Sequence, residues 1–269
     1  MNTETITSAQ NPKIRALAAL QEKSRTRRKE GLFVVEGRRE VERCLDAGFK
    51  VRTLFVCPEI IGQEELAVIE AKTDGDCLKI EVPGFLYEKI AYRGGTEGII
   101  AEVAWRQTRL EDMKIGKNPL VIVLEAVEKP GNLGAVLRSA DAAGADAVLV
   151  CDPMTDLFNP NLIRSSTGTV FSRQVVATTS EEAIKWLKDN GIRIYTAQLQ
   201  DSSLYYDTDM TAGTAIVMGT EATGLTGIWR KAADAHIRIP MLGQADSLNV
   251  SVSAAILLFE ALRQRRKGE

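Results

Sequence analysis

The sequence predicts an α/β protein: a parallel-sheet domain in the C-terminal half, preceded by a smaller α/β domain. Residues 119–126, PLVIVLEA, form a continuous apolar run, the pattern of a strand buried on both faces of a parallel sheet. On either side of it, short apolar segments alternate with stretches of helical periodicity, the order that builds a sheet covered by helices. A polar stretch divides the two patterns, so the expected domains are 1–105 and 118–269, with 106–117 as a linker.

Taken in order, the first helix is expected over residues 12–29. Asn11 caps it, and Pro12 sits at the first helical position, where its missing N–H costs nothing. A strand at 32–36 follows, then a helix over 38–47 stopped by Gly48, and a strand at 51–57. A helix at 63–72, a strand at 78–82, a helix at 83–91 and a strand at 98–104 complete the smaller domain. Past the linker come the strand at 119–126, a helix over 132–143 ending at Gly144, and a strand at 147–151. A helix at 180–190 and strands at 193–197, 214–218 and 235–239 continue the alternation. The closing helix, over 249–265, is apolar around most of its circumference, so it belongs in a core or a subunit interface.

Composition narrows the chemistry. With 45% hydrophobic and 26% charged residues, the 269-residue chain is an ordinary globular one. No apolar run approaches the roughly 20 residues that span a bilayer, and the N-terminus lacks the apolar core of a signal peptide. A cytoplasmic protein without membrane contact is expected. Cys44, Cys57, Cys77 and Cys151 lie far apart with no CxxC pair, so buried thiols are expected and a metal cluster is not. The single histidine, His236, falls in the apolar segment AHIRIP and reads as a strand residue. Most hydrolase mechanisms fall away with it. Net charge is −2, which by itself argues against a nucleic-acid partner. Yet lysines and arginines crowd the segment from Lys13 to Arg52, and local clusters set the field that a phosphate backbone meets. Arg27, Arg28, Lys29 and Arg38 are candidate contacts to a phosphate backbone; the alternative is a solvated helix surface.

Three segments carry the chemistry. EKPGNLGAVLRSADAAG, residues 128–144, enters a helix directly after the buried strand, where ligands gather at strand carboxyl ends and helix N-termini. Helical side chains tilt toward the N-terminus, so Arg138 is expected to lean back over Gly134 and Gly131 into the crevice. It would grip a phosphate or ribose there; an ion pair with Asp141 is the plainer alternative. IVMGTEATGL, residues 216–225, runs from a buried strand into Gly219, where close backbone approach or a positive φ is allowed, and then to Glu221. The third segment, IRIPMLGQADSLNVSVSAA, ends a strand at Ile239, crosses a polar loop, and caps the last helix with Ser247 or Asn249.

In this order the three segments resemble the signature motifs of the SpoU/TrmH family of SPOUT RNA methyltransferases. The N-terminal ITSAQNPKIRALAAL and RRKEGLFVVEGRREV look like that family's accessory RNA-binding domain. Ala222-Thr223 departs from the glycine that many members carry after the glutamate. Gly95-Thr96-Glu97-Gly98 departs from the usual Thr-Pro-Gln-Gly. The resemblance implies a deep trefoil knot in the C-terminal domain, a homodimer, and S-adenosylmethionine as methyl donor to a ribose 2′-hydroxyl, in ribosomal RNA by preference over transfer RNA. It implies that Gly219, Ile239 and Leu248 hold the donor, with Glu221, Met241 and Ser247 beside them. It implies that Asn132, Arg138, Glu221 and Asn249 build the reaction site. A catalytically silent RNA-binding or ribosome-assembly protein that keeps the fold is the alternative, and no metal is implied.

Overall fold

The computed structural model describes residues 1–92, 97–172, 174–220 and 223–266. It divides into two compact units, Met1–Arg106 with Asp156–Ser172, and Gln107–Thr155 with Arg173–Glu269.

The first unit runs β1 (Asn2–Thr5), α1 (Pro12–Glu22), α2 (Ser24–Glu30), β2 (Leu32–Glu36), α3 (Arg38–Asp46) and β3 (Val51–Val56). It continues with α4 (Gln63–Lys72), β4 (Leu78–Glu81), α5 (Gly84–Ile90) and β5 (Ile99–Ala104). Its strands lie in the order β1-β4-β3-β5-β2, with β5 antiparallel to both neighbours. Leu17, Leu20, Phe55, Ile80 and Leu86 fill the core beneath α1 and α5. Two expectations change. The helix expected over 12–29 is two helices, because Lys23 takes an extended conformation (ψ 113°) that breaks the ladder. β1 gives no apolar signal: it is a mostly exposed NTET segment that joins β4 through its backbone.

The second unit begins with β6 (Leu120–Glu125), α6 (Pro130–Ala142) and β7 (Ala147–Cys151). After α7 (Pro160–Ser165) and α8 (Thr169–Ser172), which belong to the first unit, come β8 (Gln174–Thr178), α9 (Ser180–Asp189) and β9 (Arg193–Ala197). Then follow β10 (Ser203–Leu204), β11 (Thr214–Met218), α10 (Gly227–Ala232), β12 (Ala235–Arg238) and α11 (Val250–Arg265). All seven strands are parallel, in the order β10-β12-β9-β11-β6-β7-β8. Every residue of β6, β7 and β11 is buried, as a strand covered on both faces requires. α11 packs along α6 and against β11 and β6.

Two segments lie elsewhere than the sequence suggests. Of residues 106–117, expected as a linker, the stretch from Gln107 is packed: Leu110 is buried in the second unit's core, and Met113 and Ile115 lie against it. The Gln174 side chain accepts from the Lys114 N–H and donates to the Lys114 carbonyl, both at 2.7 Å. Residues 156–172 pack with the first unit, where Phe158 stacks on Phe33 with ring centroids 4.1 Å apart and Trp105 meets Phe158 edge-on. Apolar residues suit either core equally well, so their pattern carries no record of which unit they join.

Candidate active site

A cleft of about 690 Å³ opens in the second unit at the carboxyl ends of the adjacent strands β12, β9 and β11. This volume is within the usual range for a cofactor site, and the position is the one open parallel sheets favour. Gly219, Ile239, Met241, Ser247, Leu248 and Asn249, all singled out from sequence, line it together. Glu221 lies outside the described residues.

Gly219 is fixed by sterics rather than by backbone angle. A Cβ there would fall 2.3 Å from the carbonyl carbon of Gly224, so the loop after β11 folds back onto a glycine that leaves it no room. Gly224 carries the positive φ, +66°. Thr220 and Gly224 pair through their backbones, and the Thr220 hydroxyl accepts from the Thr223 N–H at 3.0 Å, closing the loop on itself. Asn249, also in the lining, caps α11: its Oδ1 accepts from the Ser251 N–H at 3.0 Å and the Ser251 hydroxyl at 2.6 Å. The amide nitrogen of Asn249 is left to donate to Asn132 Oδ1 at 3.2 Å. Two asparagines 117 residues apart in sequence are therefore joined where the first turn of α6 meets the cap of α11.

Sequence reasoning missed part of the lining. Ala197, Gln198, Leu199 and Gln200 follow β9, and Arg230 comes from α10. The carboxyl-end rule that flagged Gly219 applies to β9 as well, but no glycine draws the eye there. Gln198 Oε1 is buried and has no hydrogen-bond partner among the described residues, while Nε2 donates to the Gln200 carbonyl at 2.9 Å. An acceptor so placed suits a ligand with N–H donors. S-adenosylmethionine has them in its adenine amino group and its ammonium, and the lining's mix of Met218, Leu225 and Leu257 with Thr220, Asp246 and Asn249 suits its apolar and charged parts.

Arg138 is exposed on α6 and is not among the lining residues. It lies six residues beyond Asn132, about 9 Å along the helix axis. Asn132 and Asn249 are brought together; Arg138 is not gathered with them. His236 lies in β12 with Nδ1 2.6 Å from the Thr196 hydroxyl, a strand residue as its context implied. All four cysteines are buried, and burial pushes the Cys77 thiol up to about 11.

The candidate RNA contacts divide. Arg28 and Lys29 are exposed. Arg38 is half-exposed and lies 3.6 Å from Glu65 and 3.9 Å from Glu42. Arg27 is a correction: only 2% exposed, it bonds Asp156 through Nε at 3.3 Å and Nη2 at 2.6 Å, and its Nη1 donates to the Leu20 and Gln21 carbonyls. Its charge is neutralised inside the first unit, so it offers nothing to a phosphate. Among the described residues no group of three or more His, Cys, Asp or Glu side chains is placed to hold a metal, and no helix is long and apolar enough to cross a membrane.

Against known proteins, residues 119–259 match the SpoU rRNA Methylase family, and residues 11–101 match the MRM3-like substrate binding domain. The chain is 31% identical over 254 residues to the 23S rRNA (guanosine(2553)-2′-O)-methyltransferase RlmP of Bacillus subtilis, covering 94% of this chain and 97% of that protein. It is 41% identical to a crystal structure of an RNA 2′-O ribose methyltransferase, with TM-score 0.83, covering 97% of this chain and 99% of that one. An AdoMet-bound rRNA methyltransferase from Sinorhizobium meliloti superposes with TM-score 0.89 at 30% identity, covering 97% of this chain and 98% of that one.

Proposed function

The chain belongs to the SpoU rRNA methylase family, and from that premise we propose that this cleft serves methyl transfer from S-adenosylmethionine to a ribose 2′-hydroxyl of ribosomal RNA. The observation that carries the reading is the convergence of Gly219, Ile239, Leu248 and Asn249 on one cleft, with Asn132 bonded to Asn249. When bound, S-adenosylmethionine supplies an electrophilic sulfonium methyl group.

The chain's own residues hold and orient. Backbone groups at Gly219, Ile239 and Leu248 hold the donor, with Met241, Ser247 and Gln198 around it. Asn132 and Asn249 fix the rim between α6 and α11, where the acceptor ribose arrives; Glu221, outside the described residues, is proposed to act in the same reaction. Positioning supplies much of the rate, since the donor is already activated. Arg138, a cation and hydrogen-bond donor rather than a base, grips the ribose or adjacent phosphate and stabilises negative charge on the 2′-oxygen. Single-turnover assays of Arg138→Ala and Arg138→Lys separate these roles. Substantial activity in the lysine variant supports charge and orientation; equal, complete loss with RNA binding intact points to specific guanidinium chemistry.

The functional protein is proposed to be a knotted homodimer acting in the cytoplasm. Val252 and Phe259 are 47% and 45% exposed on α11, with Ala255 and Ile256 half-buried between them on one helix face. A second copy of that face is its natural cover. The function is tested by mapping 2′-O-methylation across total RNA with and without the gene, together with calorimetric titration of S-adenosylmethionine. Loss of one ribosomal methyl mark and measurable donor binding are expected. A protein that binds RNA but not the donor would be the catalytically silent alternative.

A further inference from the structure

Glu125 ends β6 and is 3% exposed. The five residues before it, Leu120–Leu124, are all apolar, and a buried carboxylate in their company is costly unless both oxygens are satisfied. One residue satisfies both: Oε2 accepts the Thr226 N–H at 2.9 Å and Oε1 accepts the Thr226 hydroxyl at 2.5 Å. Thr226 directly follows Leu225, the last residue of the cleft-lining loop that starts at Gly219. It is also the N-cap residue of α10, which carries the lining residue Arg230.

The loop has two ends. Its entry is fixed by β11, whose Met218 pairs with Leu124 of β6. Its exit is fixed by Glu125, the next residue of the same strand. Both ends are therefore referred to β6, and the tight Gly219–Gly224 fold is held between them. Glu125 does not itself line the cleft. We infer that Glu125 is a positioning residue for the methyl donor: acting through Thr226, it holds the Thr223–Leu225 segment folded onto Gly219, in the arrangement that receives S-adenosylmethionine. The inference rests on the methyltransferase reading above.

The experiment measures donor affinity by calorimetry, and KM for the donor and for RNA separately, in the full chain. A wild-type protein that neither binds the donor nor methylates RNA overturns the functional reading itself. With wild type active, Glu125→Ala is expected to weaken donor binding and raise the donor KM about tenfold, the scale of losing a charged hydrogen-bonded pair. The RNA KM should rise clearly less than the donor KM, because Asn132 and Asn249 lie outside the loop. Thr226→Val keeps the N–H bond and should lose about threefold, and Glu125→Gln should recover most of the affinity. The double variant Glu125→Ala/Thr226→Val should be no weaker than Glu125→Ala alone, because the two groups act as one unit. Wild-type donor affinity in folded Glu125→Ala overturns the inference, as does an equal rise in both KM values. Should Glu125→Ala not fold, unchanged donor affinity in Thr226→Val overturns it instead.

Discussion

Arg27 and Arg28 are neighbours of the same type with opposite fates. Arg27 is enclosed with Asp156, and breaking a buried pair strands the surviving charge. Arg27→Ala is expected to lower stability by about 3 kcal/mol in urea unfolding, without a specific change in the salt dependence of RNA binding. Replacing Arg28 and Lys29 together should leave stability within about 0.5 kcal/mol and flatten the slope of log K against log salt by about one to two units. An unchanged slope would remove α2 from the RNA surface. Gly219 is decided at the same scale. Gly219→Ala is expected to abolish measurable donor binding in calorimetry while leaving the far-UV spectrum intact, because the added methyl meets backbone rather than a side chain that can move. Gln198→Ala should weaken the donor about fivefold if Oε1 accepts one of its N–H groups. Glycine at a strand end was legible from sequence; the neighbour that demands it, Gly224, was not.

Elements were more legible than contacts. α9 shows why, since its start is written locally. The Thr179 hydroxyl accepts from the Glu182 N–H, and the Glu182 carboxylate accepts from the Thr179 N–H, a reciprocal cap within four residues. Thr179→Ala is expected to cost about 1 kcal/mol. The Thr178 hydroxyl and the Thr179 N–H hold the Glu182 carboxyl below its usual value. A lowered folded-state value means this contribution is present above the ordinary carboxylate range and is lost as pH falls through the lowered value. Glu182→Gln should therefore flatten the acid limb of a plot of thermal midpoint against pH. α1 and α2 show the opposite case. Nothing near Lys23 is a proline or glycine, so no local signal marks the break, beyond which Arg27 bonds Asp156.

At the scale of the molecule, the sequence order of segments and their spatial grouping disagree. Asp156–Ser172 lies between two strands of the second sheet but packs with the first unit, through Phe158, Phe171, Arg27 and the bond from Arg43 to the Thr167 carbonyl. The outer face of α11 is the other feature of this scale. Phe259→Asp is expected to convert the proposed dimer to a monomer in sedimentation experiments and to lower methylation sharply, with the fold of each unit retained. A monomeric wild type would sink the dimer.

By itself the sequence determined the α/β class, the central strands and helices of both units, and the glycine at the end of β11, while most of the other cleft residues it named came from the family resemblance. The elements and that glycine depend on periodicity, caps and strand ends, all of them local. Only the tertiary structure decided that Asn132 and Asn249 touch, that Arg27 is spent on Asp156, that 156–172 belongs with the first unit, and that Glu125 reaches Thr226. Each of these is a pairing between distant residues whose types suit many partners, and geometry alone selects among them. The parallel sheet predicted from PLVIVLEA therefore stands as the frame, with its function set by the loops its strand order brings side by side.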